Sequence, residues 1–330
     1  MSALLDVSGL STHYRTRRGL LRAVDDVSFA IHAGETVAVV GESGSGKSVT
    51  ALSILGLVPH PPGEIVAGRI IFEGRDLRSL SDAEMERVRG HRIGMIFQEP
   101  MTSLNPILTI GMQLTEGMMH HMRLTRRQAD VRAAELLASV GISEAASRLN
   151  QYPHQFSGGM RQRIMIAMAL ACDPSLIIAD EPTTALDVTI QSQILSVMKR
   201  LAKETGIAIM IITHDLGVVA RMADRVNVMY AGRIVEKGTA RELFANPRHP
   251  YTRGLLASVP RIGGEQADRL KPIQGSPPDA TNLPSGCAFR PRCPLAVQRC
   301  TVEAPPLEGP NAMHPAACWV ANGKAEEVAS

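Results

Sequence analysis

Eight residues constrain this chain more than any other stretch. Gly41-Glu-Ser-Gly-Ser-Gly-Lys47-Ser48 fits the pattern G-x-x-x-x-G-K-[ST] at every fixed position. Upstream, Thr36-Val-Ala-Val-Val40 reads as a short buried strand. Downstream, Val49 to Leu57 reads as a helix that stops before Pro59. Glycines between a strand and a helix let backbone N–H groups turn inward around phosphate oxygens, and the helix N-terminus adds the positive end of its dipole. In this setting Lys47 is expected on the β- and γ-phosphates of a nucleotide and Ser48 on Mg²⁺.

Composition narrows what the nucleotide serves. The 330 residues are 45% hydrophobic and 20% charged, an ordinary globular mix with room for one large domain and something smaller. A net charge of +3 and 3% aromatics leave few stacking platforms and no basic tail, which argues against a nucleic-acid partner. No apolar run approaches the roughly 20 residues of a membrane-spanning helix. Met1-Ser-Ala-Leu-Leu-Asp-Val lacks the basic-then-apolar order of a signal peptide. A cytoplasmic protein is expected, attached to a membrane only through an integral partner.

Leu4 to Leu10 and Ala23 to Ile31 read as antiparallel strands, with Tyr14 between them. Tyr14 has two readings, a ring stacked on adenine or a partly buried strand-end tyrosine. Gly68 to Phe72 is a strand, and Ser81 is the N-cap of a polar helix to Arg89. Ile93 to Phe97 is a buried strand that delivers Gln98, whose amide can reach Mg²⁺ or an attacking water. From Met101 to Tyr152 helical spacing takes over, notably at Ile110 to Met122 and Arg126 to Val140, a helical insertion of about 50 residues. Its methionines Met112, Met118, Met119 and Met122 read as soft packing, some of them available to a partner.

Phe156-Ser-Gly-Gly-Met-Arg-Gln-Arg163 follows, with Ser157 as N-cap and an apolar helix running through Ala171. It is a second anion-binding helix start, 110 residues after Lys47. One nucleotide does not need two such starts in one subunit, so Ser157 and Gly159 are expected to serve a nucleotide held by another. Ser175-Leu-Ile-Ile-Ala-Asp180-Glu181 is a buried strand ending in two carboxylates. Asp180 is placed for Mg²⁺, and Glu181 to polarise the attacking water. Thr184-Ala-Leu-Asp187 turns into a helix from Val188 to Lys203 closed by Gly206. Ile207 to Thr213 is a further strand, ending at His214, a candidate γ-phosphate contact. Val226 to Met229 and Arg233 to Glu236 form a hairpin over Ala231-Gly232.

Six elements thus stand in one order: Tyr14, the phosphate loop, Gln98, Ser157-Gly158-Gly159, Asp180-Glu181 and His214. Over about residues 4–245 they resemble the nucleotide-binding subunit of ABC transporters. The resemblance implies an α/β fold: an ABC-type phosphate-loop ATPase core (1–245) with an antiparallel β subdomain and a helical subdomain at about 99–156, then a small cysteine-containing extension (246–330). It implies ATP and Mg²⁺. Tyr14, Gly41, Ser43, Gly44, Ser45, Gly46, Lys47, Ser48 and Val49 would contact the nucleotide. Ser48, Gln98 and Asp180 would hold the metal, and Glu181, His214 and Gln98 would serve hydrolysis. Ser157, Gly158, Gly159 and Asp187 would act on the ATP of a second subunit in a head-to-tail dimer. The signature departs from the commonest LSGGQ at Phe156 and Met160.

Three runs narrow the branch. Gln98-Glu-Pro-Met-Thr-Ser-Leu-Asn-Pro106, the Phe156–Arg163 signature and Asn246-Pro-Arg-His-Pro-Tyr-Thr-Arg253 are similar to the dipeptide and oligopeptide importer ATPases. This implies a second, non-identical ATPase subunit, two membrane permeases, an extracytoplasmic solute-binding protein and a peripheral place on the cytoplasmic face of the cell membrane. Nickel or another small solute is the alternative cargo. A soluble ABC ATPase working on DNA or ribosomes is a more distant reading; it predicts a coiled-coil insertion or two fused cassettes, and the sequence has neither pattern. A regulatory module with a dead site conflicts with Glu181 and His214.

Lys271 to Gly286 reads as a linker. Four of the five cysteines follow it: Cys287, Cys293, Cys300 and Cys318, spaced C-x5-C-x6-C-x17-C. Four thiolates can hold zinc or an iron–sulfur cluster, and the C-x2-C knuckles of many zinc modules are absent. The importer ATPases carry a similar tail that binds a [4Fe–4S] cluster, so the resemblance favours the cluster, with zinc as the alternative. His314 is the other candidate ligand nearby, and Cys172 reads as a buried small side chain.

Overall fold

The apolar run before the phosphate loop forms the expected strand, Thr36–Val40, and the run after it forms a helix, Lys47–Ile54, that starts and ends earlier than the expected Val49 to Leu57. The computed structural model describes residues 2–98, 103–183, 187–258 and 272–325. Residues 99–102, which open the expected helical insertion, Thr184 to Leu186 of the turn before Asp187, and Lys271 lie outside the described residues.

In chain order, β1 (Leu5–Thr16), β2 (Gly19–Ile31) and β3 (Thr36–Val40) precede α1 (Lys47–Ile54). Next come β4 (Gly63–Phe72), β5 (Arg75–Asp76), α2 (Asp82–Val88) and β6 (Ile93–Ile96). The helical stretch holds α3 (Ile110–His121), α4 (Arg126–Ser139) and α5 (Ala145–Arg148), followed by α6 (Gly158–Leu170), β7 (Leu176–Asp180), α7 (Val188–Thr205) and β8 (Ala208–Thr213). The chain continues through α8 (Leu216–Met222), β9 (Arg225–Tyr230), β10 (Arg233–Thr239), α9 (Ala240–Ala245), α10 (Pro250–Ala257) and α11 (Arg299–Val302).

Local chemistry sets most of these boundaries. Thr109, Ser157 and Asp187 accept the backbone N–H of Met112, Met160 and Ile190, closing orphan donors at three helix starts. At Ser81 the Glu84 carboxylate reaches back to accept from both the serine N–H (3.0 Å) and its hydroxyl (2.9 Å). Gly206 ends α7 in the left-handed conformation (φ 71°). The β9–β10 hairpin turns on Ala231 (φ 48°) and Gly232 (φ 82°), the positive-φ pair that a two-residue hairpin requires.

The described chain divides into two compact units. One takes Ile31–Thr36 and Leu77–Ile212 with the extreme N-terminus. Here β6, β7 and β8 form a parallel ladder, Ile93 opposite Leu176 and Leu176 opposite Ala208. β7 and β8 are buried throughout, as parallel strands covered by helices are. The other unit takes Leu5–Ala30, Val37–Asp76 and the chain from Thr213 onward. Among its described residues, β2, β1, β4 and β5 lie in that order in one sheet, with β1 antiparallel to β4. In the same unit β3 runs parallel to β9, and β9 antiparallel to β10. Of the four methionines expected to pack the helical stretch, Met118 is fully buried, whereas Met112 and Met119 are 46% and 41% exposed. No helix among the described residues is long and apolar enough to cross a membrane.

Candidate functional site

The phosphate loop joins β3 to α1, and its tip, Ser43-Gly44, is exposed. Its base is tightly built. Lys47, 5% exposed, folds back so that its ammonium donates to Gly41 O (2.8 Å) and Glu42 O (2.9 Å). Gly46 has φ 105°, and a Cβ there would lie 2.3 Å from Ala23 O, so only glycine fits. Ser45 is buried beside Gly41 with its hydroxyl left without a hydrogen-bond partner, a polar group that a phosphate oxygen bound in the loop would satisfy. Tyr14 sits at the end of β1 opposite Gly63, its ring resting on that glycine, and burial raises its phenol pKa.

In the other unit, the parallel register brings the ends of β6 and β7 together. Gln98 Nε2 donates to Glu181 Oε2 at 3.1 Å. Asp180, the last residue of β7, is 7% exposed. Glu181 leaves the strand in the left-handed region (φ 47°) with its N–H on Ile212 O (2.9 Å). A non-glycine residue held there carries roughly 1–3 kcal/mol of strain, a feature that clusters where a side chain must be aimed. His214, which directly follows the last residue of β8, is counted with the unit that carries the phosphate loop.

The unit that holds Gln98 and Glu181 also carries the second helix start. Ser157 caps α6 through Met160 N–H (3.4 Å) and Asp187 caps α7 through Ile190 N–H (2.9 Å). The two starts touch: a Cβ on Gly159 would lie 2.7 Å from Ile190 Cγ2, so the absent side chain lets α6 close on α7. Arg163 ties the arrangement to α4, donating to Val140 O (2.9 Å) and to Gln193 Oε1 of α7 (2.8 Å). Cys172 is buried, its thiol pushed up to about 11 by desolvation.

Four further cysteines gather in the tail. Cys287, Cys293, Cys300 and Cys318 line one small cavity together with Phe289, Leu295, Pro305 and Trp319. Burial pushes the Cys287 thiol up to about 11 and raises that of Cys293. Among the described residues no three His, Cys, Asp or Glu side chains converge on a single metal ion. His314, the alternative ligand, is committed elsewhere: its Nε2 lies 2.7 Å from the carboxylate of Glu236, which is fully buried. The same carboxylate accepts the N–H groups of Arg248 (2.8 Å) and His249 (2.9 Å), anchoring the Asn246–Arg253 run.

Sequence reasoning missed this anchoring and the residues that meet Glu42. Arg292 forms a two-pronged ion pair with the Glu42 carboxylate (2.6 and 2.9 Å), and the Tyr251 hydroxyl accepts Glu42 N–H (2.8 Å). Nothing in local periodicity marks residues 250 positions apart as partners.

Residues 24–184 match the family model described as "ABC transporter", and residues 235–300 match "Oligopeptide/dipeptide transporter, C-terminal region". The oligopeptide transport ATP-binding protein AppD of Bacillus subtilis is 54% identical over 307 residues, 93% of each chain. OppD of the same organism is 52% identical over 328 residues, 99% of this chain and 92% of OppD. A solved dimer of the ATP-binding cassette MJ0796, in a post-hydrolysis state with ADP and Pi, superposes with a TM-score of 0.65 at 29% identity, covering 72% of this chain and 99% of that one. With an ABC ATPase cassette fold and similarity along nearly its whole length, the chain belongs to the family of oligopeptide and dipeptide ABC transporter ATP-binding proteins.

Proposed function

We propose that this chain is the ATP-hydrolysing subunit of an importer for dipeptides or oligopeptides. The observation that carries the reading is similarity to oligopeptide transport ATP-binding proteins across both the cassette and the C-terminal region. The core is residues 1–245, with a helical subdomain at about 99–156, and the extension is 246–330. The chain works on the cytoplasmic face of the membrane beneath two permeases, beside a second, non-identical ATPase, and receives peptide from an extracytoplasmic solute-binding protein. Exposed Met112 and Met119 on α3 supply adaptable apolar surface for such a membrane partner.

The residue roles follow from chemistry and motif order. Lys47 and the backbone N–H groups of Ser43 to Val49 hold the phosphates of ATP, and Tyr14 faces the adenine. Ser48, Gln98 and Asp180 would hold Mg²⁺, which neutralises phosphate charge when bound. Glu181, oriented by Gln98, takes the proton of the attacking water, and His214 contacts the γ-phosphate. Ser157, Gly158, Gly159 and Asp187 act on the ATP of the facing subunit. Cys287, Cys293, Cys300 and Cys318, which line one small cavity, would hold a [4Fe–4S] cluster, with zinc as the alternative.

Proteoliposomes holding the assembled transporter test the function. Peptide-loaded solute-binding protein is expected to stimulate ATP hydrolysis. Stimulation by nickel-loaded but not by peptide-loaded protein would replace the proposed cargo.

A further inference from the structure

Glu42, the second residue of the phosphate loop, is held at all three of its polar groups. Its carbonyl accepts from Lys47 Nζ (2.9 Å), its N–H donates to the Tyr251 hydroxyl (2.8 Å), and its carboxylate takes both prongs of the Arg292 guanidinium (2.6 and 2.9 Å). Arg292 is itself fixed. Its side chain is 4% exposed, its Nε donates to Gln274 O (3.0 Å), and its guanidinium lies 6.0 Å from the centre of the Tyr230 ring. Tyr251 is fully buried, 4.6 Å from Tyr230 and 5.5 Å from Phe289, ring centre to ring centre.

Arg292 also belongs to the cysteine-bearing tail. It ends the single turn of 3₁₀ helix, Arg290–Arg292, that links Cys287 to Cys293. Arg290 N–H bonds Cys287 O (3.0 Å) and Cys293 N–H bonds Arg290 O (3.1 Å). The backbone that positions the two cysteines therefore positions the guanidinium. A planar two-pronged pair whose guanidinium is buried fixes direction as well as distance.

We propose that Arg292 and Tyr251 are positioning residues for nucleotide binding, a clamp through which the cysteine-bearing tail holds the phosphate loop in its phosphate-receiving shape by way of Glu42. The clamp rests on the nucleotide-site reading given above. It touches the loop and not the water-activating carboxylate, so it acts on ATP affinity and leaves turnover at saturation alone.

The test is calorimetric binding of MgATP to the full chain, with steady-state KM and kcat, for Arg292→Gln, Glu42→Gln and the double variant. Each single change is expected to weaken MgATP binding about tenfold, inside the usual range of coupling between sites. The double variant is expected to be no weaker than the worse single, because both remove one interaction. KM should rise and kcat should stay within about twofold, with Arg292→Lys recovering part of the loss. Affinities within about twofold of the parent in both singles, or losses that multiply in the double, would overturn the clamp. Should Arg292→Gln fail to fold, Tyr251→Phe removes only the hydroxyl that accepts Glu42 N–H; weakened MgATP binding supports the clamp and unchanged binding overturns it. Lys47→Ala separates the two levels. Normal MgATP binding by Lys47→Ala would sink the nucleotide-site reading itself, whereas its loss beside unaffected Arg292 and Glu42 variants would sink the clamp alone.

Discussion

Gln98 Nε2 and Glu181 Oε2 lie 3.1 Å apart, at the ends of two neighbouring parallel strands. The pair fixes the orientation of the carboxylate assigned to the attacking water. Glu181→Gln keeps the shape and removes the base. Its ATP hydrolysis should fall by roughly 10²–10⁴ while MgATP affinity is retained, as phosphate release and calorimetry would record. Turnover equal to the parent would remove the assignment.

The loop glycines give a graded prediction. Gly44 has φ 77° with open space where a Cβ would go, so Gly44→Ala adds only left-handed strain, about 1–2 kcal/mol. Gly46→Ala adds a clash with Ala23 O at 2.3 Å and should be more destabilising still, with MgATP binding lost. Urea melts of the two variants check the order; a Gly46 variant as stable as the Gly44 variant would show that the loop is not packed as described.

Ser157 is expected to serve the facing subunit. In mixed dimers carrying Ser157→Ala on one chain only, the ATP site that fails should be the one built on the other chain's Lys47. A defect confined to the mutant chain's own phosphate loop would contradict the sandwich arrangement.

Much of this was legible because short-range chemistry wrote it. The phosphate loop, the caps at Ser81 and Ser157 and the stop at Gly206 need only a few neighbouring residues to act. The helices Ile110–His121 and Arg126–Ser139 fall within a residue or so of the spacing-based expectation. What stayed hidden depends on pairing across the chain. Glu236 reads as an ordinary strand residue in Arg233-Ile-Val-Glu, yet its carboxylate is fully buried beneath two N–H donors and His314. Glu42 occupies a variable place in the loop pattern, so the pattern gives no hint of Arg292 or Tyr251. The methionines of α3 show the limit of periodicity: it marks the helix and not which side remains open.

Burial holds the His249 imidazole neutral, lowering its pKa from 6.5 to about 3, and its Nδ1 accepts Tyr251 N–H at 3.0 Å. The unfolded chain takes up this proton near pH 6.5 and the folded chain only near 3, so between those values the unfolded state binds more protons. Stability therefore falls as pH drops through that window, by about 2 kcal/mol between pH 7 and pH 5 from this group. His249→Asn keeps an acceptor for Tyr251 N–H and does not titrate. Urea melts at the two pH values should show a loss smaller by that amount, and identical losses in parent and variant would contradict the neutral buried imidazole.

For the four tail cysteines, anaerobic purification should yield a coloured protein with about four iron and four sulfide per chain, lost in Cys293→Ser. A colourless, zinc-containing protein would end the cluster assignment.

The most direct test of the whole account is uptake of a labelled dipeptide and of a longer peptide into cells, comparing the intact chain with Glu181→Gln. Uptake of at least one peptide should collapse in the variant while the protein remains assembled with its permeases. Peptide uptake that is indifferent to the Glu181 change would contradict the claim that hydrolysis by this subunit drives peptide import.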